Sequence, residues 1–292
     1  ETILTKGQVP LPIDHEIRVR LESGRAASFL LIVPTAQACL KLQRECLACA
    51  PNRAVAGLHI HTLEDLVQRF YGHIGGGQRQ LSSGLQMIWM RQILDGGKFT
   101  FFSPPLLSSP PLPSSPTVGG REIKIPVPQG TVTRLTNTIN QLKMSGIYPS
   151  HLRRDLAESE GTERDKLAVI IAIYEAYEQK LGHQWIDRAG VHSAVSNDIS
   201  KSPLQAKALM AATFPHVDLV VVKGFDVFSP PDFAILTGIA NLPQIGLCIV
   251  LDFDAQNESL FGYMKESYDQ LLSLGFEPVH SVGLDQPNPP AP

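Results

Sequence analysis

The sequence lacks most of the features that announce a function. Four cysteines in 292 residues are too few to staple a chain of this length, which excludes a disulfide scaffold. No apolar run approaches the ~20 residues that span a bilayer, so no membrane-spanning helix and no membrane partner is expected. There is no excess of one charge: 25 Lys+Arg stand against 28 Asp+Glu, a net of −3. Any contact with nucleic acid therefore has to come from a local patch. No G-x-x-x-x-G-K-[ST] loop is present to wrap backbone N–H groups and a lysine around phosphates. Thr5-Lys6-Gly7 has the wrong order, and Gly96-Gly97-Lys98 is followed by Phe99. No G-x-S-x-G elbow exists, and His73, His151, His183, His192 and His216 have no motif around them, which leaves hydrolase triads without support. The polar, proline-containing start has no signal-peptide character, so the expected location is the cytoplasm. A start at Glu1 and an end in Asn288-Pro-Pro-Ala-Pro292 read as a piece of a longer protein.

What is present is enough apolar material for a real core: 43% hydrophobic against 18% charged, which argues against wholesale disorder. Residues 28–33 read as a buried strand, and Pro34-Thr35 turns into a helix over 36–50. Residues 57–60 read as a second strand, and Thr62 with Asp65 three residues on fits a helix cap. Strand, helix, strand, helix opens a parallel α/β sheet. After Gly75-Gly76-Gly77 the pattern changes. Helices are predicted over 85–94, 131–144 (ended by Gly146) and 162–181 (capped by Thr162), with another starting at Asp187. Residues 103–116 hold six prolines and five serines and read as a loop. Strands at 217–222 and 245–252 restore the α/β pattern, with helices over about 230–241 and 259–274 and a last strand at 279–282. The expected fold class is α/β: a parallel-sheet domain split into 1–80 and 205–292, interrupted by a mainly helical insertion over 81–204 that carries the loop 103–116.

The chemistry centres on Val217-Asp-Leu-Val-Val-Val-Lys-Gly-Phe-Asp-Val-Phe-Ser-Pro-Pro-Asp232. In nucleotide-hydrolysing motors such a strand ends in Asp-Glu, the Asp holding Mg²⁺ and the Glu polarising water. Here Lys223 and Gly224 stand in those places. An ammonium cannot ligate Mg²⁺ and glycine is no base, so this reads as a degenerate Walker B strand without ATPase activity. Cys46-x-x-Cys49 followed by His59-x-His61 offers zinc-type ligands, but without a second C-x-x-C the plainer reading is two thiols on a helix and two histidines at a strand end. Asp252-x-Asp254 sits at a strand end, where α/β sheets carry sites. With no Glu-x-Lys strand after it, it reads as loop acids. No metal and no cofactor is expected. Residues 117–154 hold six basic side chains against Glu122, and Arg121, Lys124, Arg134 and Lys143, with Asn137, are the candidate nucleic-acid patch. A solvated helix face is the competing reading.

Several segments together resemble the N-terminal region of the AddB-type subunit of bacterial ATP-dependent helicase–nucleases, which begins with an inactivated relative of a superfamily 1 (UvrD-like) helicase motor. They are Leu30-Leu-Ile-Val-Pro-Thr35, His59-Ile-His-Thr-Leu63, Tyr174-Glu-Ala-Tyr177 with Trp185-Ile-Asp-Arg188, Val220 to Phe233, and Leu251-Asp-Phe-Asp254 followed by Leu260-Phe261. They occur in family order over nearly the whole chain. Lys223 departs from the family, which usually carries Asp before Gly-Phe. The resemblance implies a RecA-like, P-loop-type fold and no catalytic residue in this segment. It implies contact with single-stranded DNA through Thr35, Gln37, His61 and Thr62. It also implies a hetero-oligomer with a catalytic helicase–nuclease subunit in double-strand-break repair and recombination. A C-terminal nuclease domain and iron–sulfur cysteines belong to the longer family members. The alternative is an ATP-hydrolysing helicase or translocase domain with an unrecognised nucleotide site.

Overall fold

A computed structural model describes residues 2–75, 77–96, 127–254 and 257–279. Its contacts divide the chain into two units, residues 1–75 with 194–292, and residues 76–193. Arg121, Lys124 and the proline-rich stretch 103–116 lie outside the described residues.

The first unit holds a six-stranded sheet. Its strands are β1 (Thr2–Lys6), β2 (Phe29–Val33), β3 (His59–Thr62), β6 (Leu219–Lys223), β7 (Gly246–Leu251) and β8 (Glu277–Val279), in the order β3-β2-β6-β7-β1-β8. β2, β3, β6 and β7 are mutually parallel. Every residue of β2 and β7 is buried, because helices cover both faces and the strands can be apolar throughout rather than alternating. On one face Leu31, Val33, Val221 and Val250 pack with Cys39 and Cys46 of α2 (Ala36–Cys49) and with Ile13 and Leu21 of α1 (Ile13–Glu22). The other face is covered by α3 (Leu63–Ile74), α9 (Pro203–Thr213) and α10 (Pro230–Ala240). Gly238 of α10 faces Ile199 of α8 (Arg188–Lys201), whose Cγ2 lies 2.0 Å from where a Cβ would stand. That approach is open only to glycine.

The sheet departs from the expectation of a purely parallel one. β1 and α1 were not foreseen, and β1 runs antiparallel to both β7 and β8. Lys6 pairs with Leu247 near the start of β7, and Thr2 with Leu251 at its end. The segment after β1 therefore leaves at the amino ends of the parallel strands, where Gly246 lies so close to Gln8 that a Cβ would stand 2.3 Å from its carbonyl oxygen. The second sequence-based expectation to shift is the helix over 259–274, which is broken into α11 (Glu258–Phe261), a 3-10 turn and α12 (Lys265–Ser273).

The second unit contains α4 (Ser83–Gly96), α5 (Gln129–Met144), α6 (Pro149–Glu158) and α7 (Gly161–Leu181), with a short parallel pair, β4 (Arg79–Gln80) and β5 (Trp185–Ile186). Its core joins Met90, Ile139, Ile173, Tyr174 and Tyr177. Gly146, at φ +70, closes α5 as expected: the N–H of Ile147 reaches back to Leu142 O at 2.8 Å, a C-cap that glycine permits. α7 starts earlier than its sequence suggests, with Glu160 at the cap position and Thr162 inside the first turn.

Candidate nucleic-acid interface

The carboxyl ends of β2, β3 and β6 lie side by side, because Val33 pairs with Thr62 and Ile32 with Val222. Each strand leads into a helix, so helix N-termini collect at this rim. Thr35 caps α2, its Oγ1 accepting from Ala38 N at 3.1 Å. Thr62 caps α3 in a reciprocal box, accepting from Asp65 N at 3.1 Å while its own N–H donates to Asp65 Oδ2 at 3.3 Å. Both threonines are thus cap residues first. The two N-termini differ in charge. α2 has no acid in its first turn, whereas α3 carries Glu64 and Asp65 there. The dipole of α3 is answered by its own carboxylates, while α2 has no acid of its own in its first turn and meets a negative charge only through Asp65 of α3, which acts as far as Cys39. Thr35 and Gln37 are exposed at the latter.

His61 and His59 project from β3 onto the face opposite Ile60, as the two-residue period of a strand requires. Their rings stand 6.3 Å apart, and each meets Phe214 at the end of α9, at centroid distances of 5.1 Å (His59) and 5.6 Å (His61). Phe214 is buried and meets Phe70 of α3 in turn. Burial lowers both imidazoles below their ordinary value; Arg69 adds to this at each, His216 at His59 and His59 at His61, while Asp65 pulls His61 the other way. A histidine held neutral by the fold takes up its proton more readily when unfolded. It therefore contributes stability that is present above the ordinary value of 6.5 and lost as pH falls through the lowered folded value. We expect the melting temperature of the α/β unit to fall between about pH 7 and pH 5, and to fall less in the double variant His59→Gln/His61→Gln, with circular dichroism as the measurement. An identical slope in both proteins would rule these two histidines out.

The four zinc-type residues do not meet. Cys46 belongs to the cluster on the Ile60 side of the sheet, and the two histidines point to the other. Among the described residues no three His, Cys, Asp or Glu side chains are placed to hold a metal ion. Burial, with help from Cys49 and Glu45, pushes the Cys46 thiol up to about 11, far from a reactive thiolate.

Lys223 ends β6, half-buried, and lines a cavity of about 360 Å³ between the sheet, α1 and α2. Two cations on that wall, Arg18 and Lys223, are matched by two acids, Asp14 and Glu45, which is a poor environment for a polyphosphate. Gly224 follows at φ +81, with Pro34 Cδ 3.7 Å from where a Cβ would stand; the backbone there requires glycine. Thr5-Lys6-Gly7 lies at the opposite rim. Lys6 Nζ donates to Leu274 O at 2.7 Å and sits over the Phe276 ring, so this lysine closes the C-terminal end of α12.

The basic patch of the helical unit requires a correction. Lys143 is 5% exposed and no phosphate can reach it. Its Nζ bridges Asp187 Oδ2 at 2.7 Å and Glu178 Oε1 at 2.8 Å. Burial works to lower this lysine, but the two carboxylates outweigh it and leave it raised. Tyr177 Oη donates to the same Asp187 oxygen at 2.9 Å and accepts from Gln86 Nε2 at 2.9 Å, and Gln86 also donates to Asn140 at 2.7 Å. Asp187 Oδ1 takes the N–H of Gly190 at 2.7 Å. Arg153 is held by both oxygens of Glu175. Arg134 and Asn137 remain exposed, with Gln141, on one face of α5. The four-residue spacing Leu135, Ile139, Lys143 is the signal in the sequence that could have identified a buried lysine. Phe214, which seats both histidines, carries no such mark in the sequence.

Among the described residues no helix is long and apolar enough to cross a membrane. No curated protein matches the chain. A family model, ADDB, N-terminal, matches residues 127–282, from α5 through β8 and just over half of the sequence. The chain with this sheet rim and this helical unit belongs to the AddB N-terminal family.

Proposed function

We propose that this chain is a non-catalytic, helicase-like module of a DNA double-strand-break repair helicase–nuclease complex, in which it guides single-stranded DNA and docks a catalytic subunit. The observation that carries the reading is the rim where α2 and α3 begin next to one another. There the N-terminus of α2, with no acid in its own first turn, stands beside exposed Thr35 and Gln37, a geometry suited to phosphate oxygens. Membership of the AddB N-terminal family supports the repair context. The reversed β1 supports the absence of a working phosphate loop, since such a loop joins a strand to a helix at the carboxyl rim, and Lys223 with Gly224 supports the absence of a metal-binding acid pair.

The test is binding of an oligothymidylate across a salt series. Affinity is expected to fall steeply with salt, by about 0.7 log units per decade of salt for each phosphate neutralised. Gln37→Glu puts a carboxylate at the free N-terminus of α2 and is expected to weaken binding about tenfold. Arg134→Glu should weaken it uniformly across sequences and flatten the slope by about one contact. Salt-independent binding, or full affinity in both variants, would remove the DNA-guiding role.

A further inference from the structure

The other half of the same rim has a different chemistry. Residues 225–269 contain seven acids and a single lysine, Lys265, and the large exposed apolar side chains of the rim lie among them. Val227, after β6, is 59% exposed; Leu260 and Tyr263, after β7, are 59% and 60% exposed. β6 and β7 are parallel neighbours, so these segments leave the sheet side by side. They are also tied together. The N–H of Phe228 donates to Ser267 Oγ of α12 at 3.4 Å, and Tyr263 lies in the 3-10 turn that leads directly into α12. Phe225 stacks on Phe228 with centroids 5.2 Å apart, and Phe228 meets Phe233 edge-on at 5.5 Å, which fixes the segment carrying Val227. Asp226, Asp252 and Glu266 are exposed around these residues.

We propose that Phe225, Val227, Leu260 and Tyr263 form a docking patch for a protein segment that brings aliphatic or aromatic anchors flanked by lysines or arginines. This rests on the docking half of the function proposed above and gives it a surface and a partner chemistry. Single exposed apolar residues are ordinary, whereas several grouped on adjoining loops mark an interaction surface. The charge selects the occupant. A DNA strand laid over this patch would bring its phosphates against carboxylates with only Lys265 and the half-buried Lys223 to offset them, while a cationic segment is drawn in and held in register. The rim is thus divided, with the α2 side open to phosphate and the β6–β7 side closed to it.

The full chain is titrated with a fluorescein-labelled amphipathic leucine–lysine peptide of about 18 residues, a leucine–glutamate peptide of the same pattern, and an oligothymidylate, read by anisotropy. The leucine–lysine peptide is expected to bind at least about tenfold more tightly than its acidic counterpart. Tyr263→Ser and Val227→Ser should each weaken it about tenfold, as should Asp226→Lys combined with Glu266→Lys, with melting curves unchanged because all four side chains are exposed. Equal binding of the two peptides, or full peptide affinity in Tyr263→Ser, overturns the proposal. So does a loss of oligothymidylate affinity in Tyr263→Ser, which would assign the patch to bases instead. Failure of the oligothymidylate to bind at all, with the peptide results intact, would count against the DNA-guiding reading and leave the docking patch standing.

Discussion

Asp187→Ala is expected to cost the helical unit about 3–5 kcal/mol. The carboxylate is 1% exposed and takes a lysine, a tyrosine hydroxyl and a backbone N–H at once. Its removal strands Lys143 and leaves Tyr177 Oη with no acceptor at that position. Glu178, at 35% side-chain exposure, retains one contact with the lysine but cannot replace a fully desolvated partner. Because the penalty comes from an uncompensated charge, the double variant Lys143→Met/Asp187→Leu should recover most of the loss, since burying apolar groups of similar volume is commonly neutral or better. The measurement is selective. The chain has two tryptophans, and both, Trp89 and Trp185, stand edge to face 5.5 Å apart in this unit, so denaturant unfolding followed by tryptophan emission reports on it directly. A double variant as unstable as the single one would show that packing, not charge, sets the cost.

Phe214→Ala is expected to cost the α/β unit about 3–5 kcal/mol, as buried phenylalanine truncations do. The ring is 2% exposed and touches His59, His61 and Phe70. Its loss has a second reading that a simple packing defect elsewhere would lack. Burial is the main reason both imidazoles are lowered, and the space left behind admits water to them. Their titration midpoints should move back up toward 6.5, as read from histidine ring protons by NMR. The β3–α3 corner positions Thr62 and adjoins the α2 N-terminus, so oligothymidylate affinity should fall as well. Unmoved midpoints together with unchanged stability would mean that the histidines are seated by other groups.

What the residues announced in advance, and what they did not, follows the range of the forces involved. Caps are local, so the starts of α3 and α10 were legible from Thr62 with Asp65 and from Ser229-Pro-Pro-Asp232, where Ser229 N indeed donates to Asp232 at 2.9 Å. Buried strands were legible because both faces of β2, β6 and β7 are covered and leave unbroken apolar runs. β1 was not legible. It is five residues long and owes its existence to partners far along the chain, β7 and β8. α1 shows only Ile13, Ile17 and Leu21 at four-residue spacing within ten residues, and its one buried cation, Arg20, is satisfied by Glu16 and Ser28 and by Asp218, which lies far away in sequence. The basic patch was read from charge composition along the chain, which is blind to helix phase; phase is what turns Lys143 inward and leaves Arg134 and Asn137 outside. At the candidate site the hydroxyls were found but not the asymmetry between α2 and α3, which depends on which first turn carries acids.

The placement of β1 has a consequence for how the protein is made. Residues 2–6 occupy an interior slot of the sheet, hydrogen-bonded to β7 on one side and β8 on the other, so β1 waits for two strands far along the chain before it gains a single neighbour. The helical unit, by contrast, is closed by contacts within residues 76–193 and has all of its partners long before the ribosome reaches β7. Local contacts form quickly and distant strand pairings slowly, so the nascent chain carries a folded helical unit and an open, apolar sheet until β7 and β8 have emerged.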